Sequence, residues 1–246
     1  MIEVEKLYKK LNKKINFYTG VPDSVLKTFS TCLERQKKNH YIATNEGSAI
    51  ALAIGNYLNT KKIGLVYMQN SGLGNAINPL ISIAEKSVYS IPMLLLVGWR
   101  GAPGHKDEPQ HIAKGKITLE ILNNLKIKYL ILNNNSDLKK IDQLINYAKK
   151  NNIPVCILIK PKTLSSKRVE KKILNNHKLT RETFLINLLK KISKNERLIT
   201  TTGYTSREIF QIRKEHHLKN GKDFYMVGGM GHSSMVALGC SINSKE

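Results

Sequence analysis

Between Gly98 and His111 the chain reads Gly-Trp-Arg-Gly-Ala-Pro-Gly-His-Lys-Asp-Glu-Pro-Gln-His, setting its only tryptophan and several charges among turn formers just after the apolar run Met93–Val97. The arginine brings a planar fork suited to an anion and the lysine a point charge. A second candidate is Glu46, in Thr-Asn-Glu-Gly-Ser-Ala-Ile-Ala-Leu-Ala-Ile-Gly. There a carboxylate stands before a helix of small and apolar residues, where partial desolvation suits it to acid–base work. An acid in a first helical turn is also simply good for the macrodipole. Three loops, Gly20–Ser24, Asn45–Ser48 and Gln69–Asn75, each follow a strand and open a helix. Unpaired N–H groups at such helix starts attract anions, and three of them could surround one. Asp23 and Ser24, beside Pro22, equally suit a turn and a cap. The Gly72-Leu-Gly74-Asn75 stretch lacks the full Gly-x-Gly-x-x-Gly fingerprint of dinucleotide sites.

The elements that must hold these residues alternate. Helices are expected near Glu3–Asn12, Pro22–Gln36, Gly47–Leu58, Ala76–Ser87, Ile117–Leu125 and Leu138–Asn151. Between them strands are expected at Asn16–Thr19, Tyr41–Ala43, Ile63–Met68, Met93–Val97, Lys128–Leu132 and Val155–Ile159. This βα rhythm predicts an α/β fold with a mostly parallel sheet flanked by helices on both faces, and ligands beyond the carboxyl ends of its strands. The polar stretch Lys160–Arg168 carries no apolar period and reads as a linker. From Thr180 the pattern restarts. A capped helix runs to Ile192, then come a strand at Arg197–Thr201, a helix near Ser206–Lys214, a strand at Asp223–Met226, a Gly-rich turn and the opening of another helix.

The 246 residues carry a net charge of +22, with Lys dominant over Arg. That charge is spread along the chain with no nucleic-acid module or aromatic platform, so it reads as solvated faces, and the bias also suits a small anionic substrate. No apolar stretch nears the roughly 20 residues of a membrane span, and no signal region opens the chain, so a cytoplasmic protein is expected. Cys32, Cys156 and Cys240 fall in no paired motif and read as small buried residues rather than a disulfide framework or a zinc site.

Taken together, Tyr18-Thr-Gly-Val-Pro-Asp-Ser24, Asn45-Glu-Gly47, Asn70-Ser-Gly-Leu-Gly-Asn75, Trp99–His111, Thr202-Gly-Tyr-Thr-Ser-Arg-Glu208 and Gly228-Gly-Met-Gly-His232 resemble one family over nearly the whole chain. It is that of the thiamine-diphosphate-dependent 2-oxoacid decarboxylases, specifically the phosphonopyruvate and sulfopyruvate decarboxylases. The resemblance implies a thiamine-diphosphate-binding fold, with a pyrimidine-binding domain over residues 1–160, a linker over 161–179 and the start of a similar diphosphate-binding domain over 180–246. It implies that Glu46 hydrogen-bonds the aminopyrimidine ring nitrogen, so that the cofactor's own exocyclic nitrogen takes the thiazolium proton. Gly72 and Asn75 are implied as cofactor-binding. Gly228 matches a carbonyl that accepts from the exocyclic amine, and Met230 matches the apolar residue that bends the cofactor. Ser24 matches a position facing substrate. His111 or Asp23 is assigned the proton shuttle, and Arg100, His105 and Lys106 the neutralisation of a phosphonate.

The family continues with a Gly-Asp-Gly strand end and a later Asn that hold magnesium and the diphosphate, and neither follows here before Glu246. The expectation is therefore a C-terminally truncated decarboxylase, inactive alone unless another polypeptide supplies the missing half with its Mg2+ ligands, with a homo-oligomer or a complementing subunit as the expected partner. Phosphonopyruvate is the expected substrate and phosphonoacetaldehyde the product, on the way to 2-aminoethylphosphonate. Sulfopyruvate decarboxylase, or a non-catalytic subunit retaining the pyrimidine domain, are the alternatives.

Overall fold

Six of the apolar and half-apolar runs become strands of one all-parallel sheet. The computed structural model describes residues 1–36, 39–166, 178–193, 195–218 and 222–242. The chain divides into two compact units, Met1–Glu170 and Lys171–Glu246. The first runs β1 (Ile2–Glu3), α1 (Val4–Leu11), β2 (Tyr18–Gly20), α2 (Lys27–Gln36), β3 (His40–Ile42), α3 (Glu46–Thr60) and β4 (Leu65–Gln69). A single 3-10 turn, Asn70–Gly72, leads into α4 (Leu73–Pro79), which widens into a π turn at Leu80–Ala84. Then follow β5 (Leu94–Gly98), α5 (Pro109–Asn124), β6 (Lys128–Leu132), α6 (Leu138–Asn151), β7 (Val155–Ile159) and β8 (Leu164–Ser165).

The sheet order is β3-β2-β4-β5-β7-β6. Alternation along a strand sends successive side chains to opposite faces. Leu94 and Leu96 of β5 accordingly join the core beneath α1, α2 and α6, while Leu95 and Val97 join that beneath α3, α4 and α5. Both faces being covered, β4, β5 and β7 are buried throughout, which is why they read as unbroken apolar runs. The chain reverses its direction of travel across the sheet between β2 and β4. A crevice opens at such a switch point beyond the carboxyl ends of the strands.

Several elements differ from the sequence reading. The helix after Pro22 starts only at Lys27, because Asp23 folds back to accept from the backbone N–H groups of Val25 and Leu26, at 3.0 and 3.1 Å. Helix α5 starts at Pro109, eight residues before the expected Ile117, with Pro in the first turn where its missing N–H costs nothing. Pro79 leaves the Asn75 carbonyl without its helical donor, and the helix expected to run to Ser87 loosens there. The expected linker is ordered at its start, where Leu164 and Ser165 pair in parallel with Ile2 and Glu3; its residues 167–177 lie outside the described residues. Among the described residues no helix is long and apolar enough to cross a membrane.

The second unit comprises α7 (Arg181–Lys191), β9 (Ile199–Thr200), α8 (Tyr204–Glu215), β10 (Phe224–Tyr225) and α9 (Ser233–Ser241), with β9 and β10 parallel. Thr180 caps α7 through the Thr183 N–H at 3.1 Å, as its position predicts. Leu185, Leu189, Ile209 and Ile212 form a small core, beside which Arg213 pairs with Asp223, both side chains nearly fully buried. Cys32 and Cys156 are buried as expected, but Cys240 is exposed, because α9 buries none of its residues.

Candidate active site

Four loops meet at the carboxyl edge of the sheet, each delivering one of the singled-out motifs. After β3, Asn45 caps α3 by accepting from the Ser48 N–H at 2.8 Å, which places Glu46 in the first helical turn. Glu46 is only 5% exposed. The Asn75 side-chain amide, delivered by α4 one turn beyond β4, donates to Glu46 Oε2 at 2.8 Å. Oε1 takes no hydrogen bond among the described residues. The carboxylate lies against the backbone of the 3-10 turn so closely that a Cβ on Gly72 would stand 2.3 Å from Oε1. Gly72 is needed bare for that approach.

Asp23, after β2, is 6% exposed and accepts three hydrogen bonds. Besides the two backbone donors, Gln69 Nε2 at the end of β4 donates to Oδ1 at 2.7 Å, and Ser71 donates in turn to Gln69 Oε1 at 2.8 Å. The Cα of Gly98, ending β5, presses on this carboxyl, since a Cβ there would come within 2.0 Å of Oδ2. Burial raises the Asp23 pKa against the lowering effect of those donors and of Arg100. Asp23 thus takes up the Val25 and Leu26 N–H groups just before α2, and Asn45 takes up one N–H of the first turn of α3, that of Ser48.

Beyond β5, Trp99 is buried and donates through Nε1 to the Gly115 carbonyl of α5 at 3.0 Å. Asn70 brackets the next residue, donating to the Arg100 carbonyl at 3.0 Å and accepting its N–H at 3.1 Å, and also donates to Thr118 at 2.9 Å. The Arg100 guanidinium forks onto Asp107 through Nε and a terminal nitrogen, and donates to Ser24 Oγ at 3.0 Å. His111 stands in the first turn of α5. Its Nδ1 is buried without a hydrogen-bond partner among the described residues. Burial first, and the Arg100 charge second, lower its pKa and favour the neutral ring.

Thus Ser24, Arg100, Asp107 and Asp23 are brought into one neighbourhood, with His111 feeling the charges of Arg100, Asp107 and Asp23. His105 and Lys106 stand apart, exposed at the tip of the Trp99–Glu108 loop. Gly228 and Met230 belong to the second unit, on the turn between β10 and α9; Met230 is 50% exposed and its carbonyl meets the His232 ring at 2.9 Å. Sequence reasoning placed Gln69 and Asn70 in a candidate loop without giving either a role, and missed Thr118. Their only signal was adjacency to a Gly-rich turn or one polar residue in a helix.

The lowered pKa of His111 and of His40, which burial depresses beside the Tyr67 hydroxyl, makes a prediction. Below the ordinary histidine value of about 6.5 the unfolded chain takes up these protons before the folded one, so stability falls as pH drops from there toward the lowered values. Asp23, with its pKa raised, has the opposite sign, contributing stability below about 3.9 that is lost as pH rises through its folded value. The melting temperature at pH 5.5 relative to 7.5 is expected to recover in His40→Asn and His111→Asn, and calorimetry at both pH values checks it.

Residues 4–127 match the thiamine pyrophosphate enzyme N-terminal TPP binding domain. The chain belongs to that family. A phosphonopyruvate decarboxylase of Streptomyces hygroscopicus is 29% identical over 245 residues, covering 92% of this chain and 59% of that protein. The chain thus spans about three fifths of the length of that relative. The sulfopyruvate decarboxylase subunit alpha of Methanococcus maripaludis is 38% identical over 127 residues, covering 51% of this chain and 74% of that protein. The thiamine diphosphate-dependent 4-hydroxybenzoylformate decarboxylase of Rhodococcus jostii RHA1 shares the fold, with a TM-score of 0.51 at 18% identity over 79% of this chain and 38% of that one. The residues present fit the pyrimidine end of the family's cofactor: a buried carboxylate oriented by Asn75, with one oxygen left for a ring nitrogen and a bare glycine alongside.

Proposed function

We propose that this protein takes part in thiamine-diphosphate-dependent decarboxylation of phosphonopyruvate to phosphonoacetaldehyde and carbon dioxide, in 2-aminoethylphosphonate synthesis. The observation that carries the reading is Glu46, buried at a helix start with Oε2 engaged by Asn75 and Oε1 without a hydrogen bond among the described residues. When bound, thiamine diphosphate supplies a nucleophilic carbon and an electron sink that let a 2-oxoacid lose carbon dioxide. Glu46 would hold the pyrimidine through a hydrogen bond at Oε1, Asn75 fixes the carboxylate through Oε2, and Gly72 keeps the space clear. Ser24 and Arg100 bind the substrate's anionic end, and the neutral His111 ring, whose buried Nδ1 has no hydrogen-bond partner among the described residues, exchanges a proton with substrate or product. His105 and Lys106 add positive charge at the loop tip. Asp23, with three donors on its carboxyl, anchors the loop after β2, which favours His111 over Asp23 as the proton carrier.

The first unit is proposed as pyrimidine-binding and the second as part of a diphosphate-binding domain, with Gly228 and Met230 as its cofactor contacts. Among the described residues no group of three His, Cys, Asp or Glu side chains comes together as a metal site, and no step is assigned to magnesium. A second copy or a complementing polypeptide in the cytoplasm is the proposed partner, a reading supported by the subunit naming of the Methanococcus relative. The higher local identity to that relative favours sulfopyruvate as the second reading.

The test is an assay of the chain, alone and with any co-purifying polypeptide, on phosphonopyruvate, sulfopyruvate and pyruvate, with thiamine diphosphate and magnesium added. Preferential formation of phosphonoacetaldehyde is expected. Preference for sulfopyruvate transfers the assignment to the second reading. Cofactor binding without turnover of any 2-oxoacid contradicts both and leaves a non-catalytic subunit.

A further inference from the structure

Asp107 lies next to the candidate site, and its side chain is only 6% exposed. Its carboxylate takes the Arg100 fork on both oxygens and accepts from the backbone N–H groups of Gly101 and Glu108, each at 2.9 Å. Of the five N–H groups of a guanidinium, two go to Asp107 and one to Ser24 Oγ. Two remain. Because Ser24 Oγ accepts from Arg100, its own hydroxyl proton is turned away from the guanidinium and is available as a donor. The unused Arg100 N–H groups and the Ser24 O–H thus form a set of donors, and Ser24 is exposed while the Arg100 side chain is 24% exposed.

Resting on the decarboxylase reading above, we propose that Asp107 is a positioning residue that fixes Arg100 and, through it, Ser24 as a donor seat for the tetrahedral anion of the substrate, and so sets the preference for an anionic over an uncharged 2-oxoacid tail. Four consequences follow from the geometry. The pair is nearly neutral on its own, so the seat selects by directed N–H and O–H groups more than by net charge. Lysine at position 100 keeps the charge but loses the fork. Asparagine at 107 keeps the size but turns an amide N–H toward donors. Arg100 holds the Asp107 carboxyl far below the usual carboxylate range, so the seat stays formed across the physiological pH range.

Trp99, the only tryptophan and the neighbour of Arg100, reports on the seat by fluorescence. The probes are phosphonoacetate and pyruvate, titrated into the whole chain with calorimetry in parallel. Saturable phosphonoacetate binding is expected in the wild type. Asp107→Asn and Arg100→Lys are each expected to weaken it about tenfold, the effect of losing one charge-assisted hydrogen bond, while pyruvate binding changes less than twofold. Asp107→Ser, checked with the others for native circular dichroism, guards against a fold defect peculiar to the amide. Unchanged phosphonoacetate binding in Asp107→Asn, equal losses for both probes, or no saturable binding in the wild type overturns the proposal. Phosphonoacetate binding that depends on Asp107 in a protein that decarboxylates no 2-oxoacid leaves the seat standing and removes the decarboxylase reading. Phosphonopyruvate turnover with an unchanged KM in Asp107→Asn does the reverse.

Discussion

Glu46→Gln is expected to lower thiamine-diphosphate-dependent turnover by about 10²–10⁴-fold, the range for removing a positioned acid–base group. Glutamine matches the glutamate in size and can still accept from Asn75 Nδ2, so the first turn of α3, capped independently by Asn45, should be undisturbed. Melting temperature should therefore stay close to that of the parent. Gly72→Ala reaches the same carboxylate by another route. It leaves the glutamate in place chemically, but the new methyl would occupy space within 2.3 Å of Oε1 and must push the side chain aside. Loss of turnover in both variants, with native circular dichroism, ties the activity to where this oxygen points. Steady-state kinetics of the active assembly provides the check, and a Glu46→Gln protein with parental kcat would contradict the assignment.

Gly115→Ala is expected to destabilise the first unit and spoil the anion seat together. A Cβ at residue 115 would stand 1.9 Å from the Gly101 carbonyl oxygen, which is backbone and cannot swing away. The reciprocal contact is as tight, with Gly101 at φ +65° and its would-be Cβ 1.9 Å from the His111 carbonyl. Two glycines therefore let the Trp99–Glu108 loop cross the first turns of α5 in direct backbone contact, and the Trp99 indole pins that crossing through the Gly115 carbonyl. Overpacking of this kind costs about 1–3 kcal/mol. For a chain of this length each kcal/mol shifts the melting temperature by about 2–4 °C. Scanning calorimetry should show that fall, with a raised KM for phosphonopyruvate because Arg100 and His111 sit on either side of the crossing. An unaltered melting temperature would mean that loop and helix do not meet there.

The strands β4, β5 and β7 were legible because burial on both faces leaves an unbroken apolar run, and α6 because its apolar residues keep a helical period between two polar loops. Glu46 stood out because an acid before a helix of small residues is a local pattern. The start of α5 was misplaced even though Pro109 marked it, since the charged residues before it read as one continuous loop. Gln69 carried no such signal. What it does depends on a partner far along the chain, Asp23 forty-six positions away, and only the parallel order of β2 beside β4 brings the two together. Asp23 shows the same limit from the other side: beside Pro22 it suited a turn, and the resemblance added a proton shuttle, but the three donors on its carboxyl, Gln69 among them, appear only in the fold.

Calorimetric titration of thiamine diphosphate into the parent chain and into Glu46→Gln is the most direct measurement of whether this buried carboxylate receives the cofactor's pyrimidine. Saturable binding in the parent, weakened about tenfold or more by the substitution, is the expected result. Identical isotherms for the two proteins, or no heat of binding in either, would contradict it.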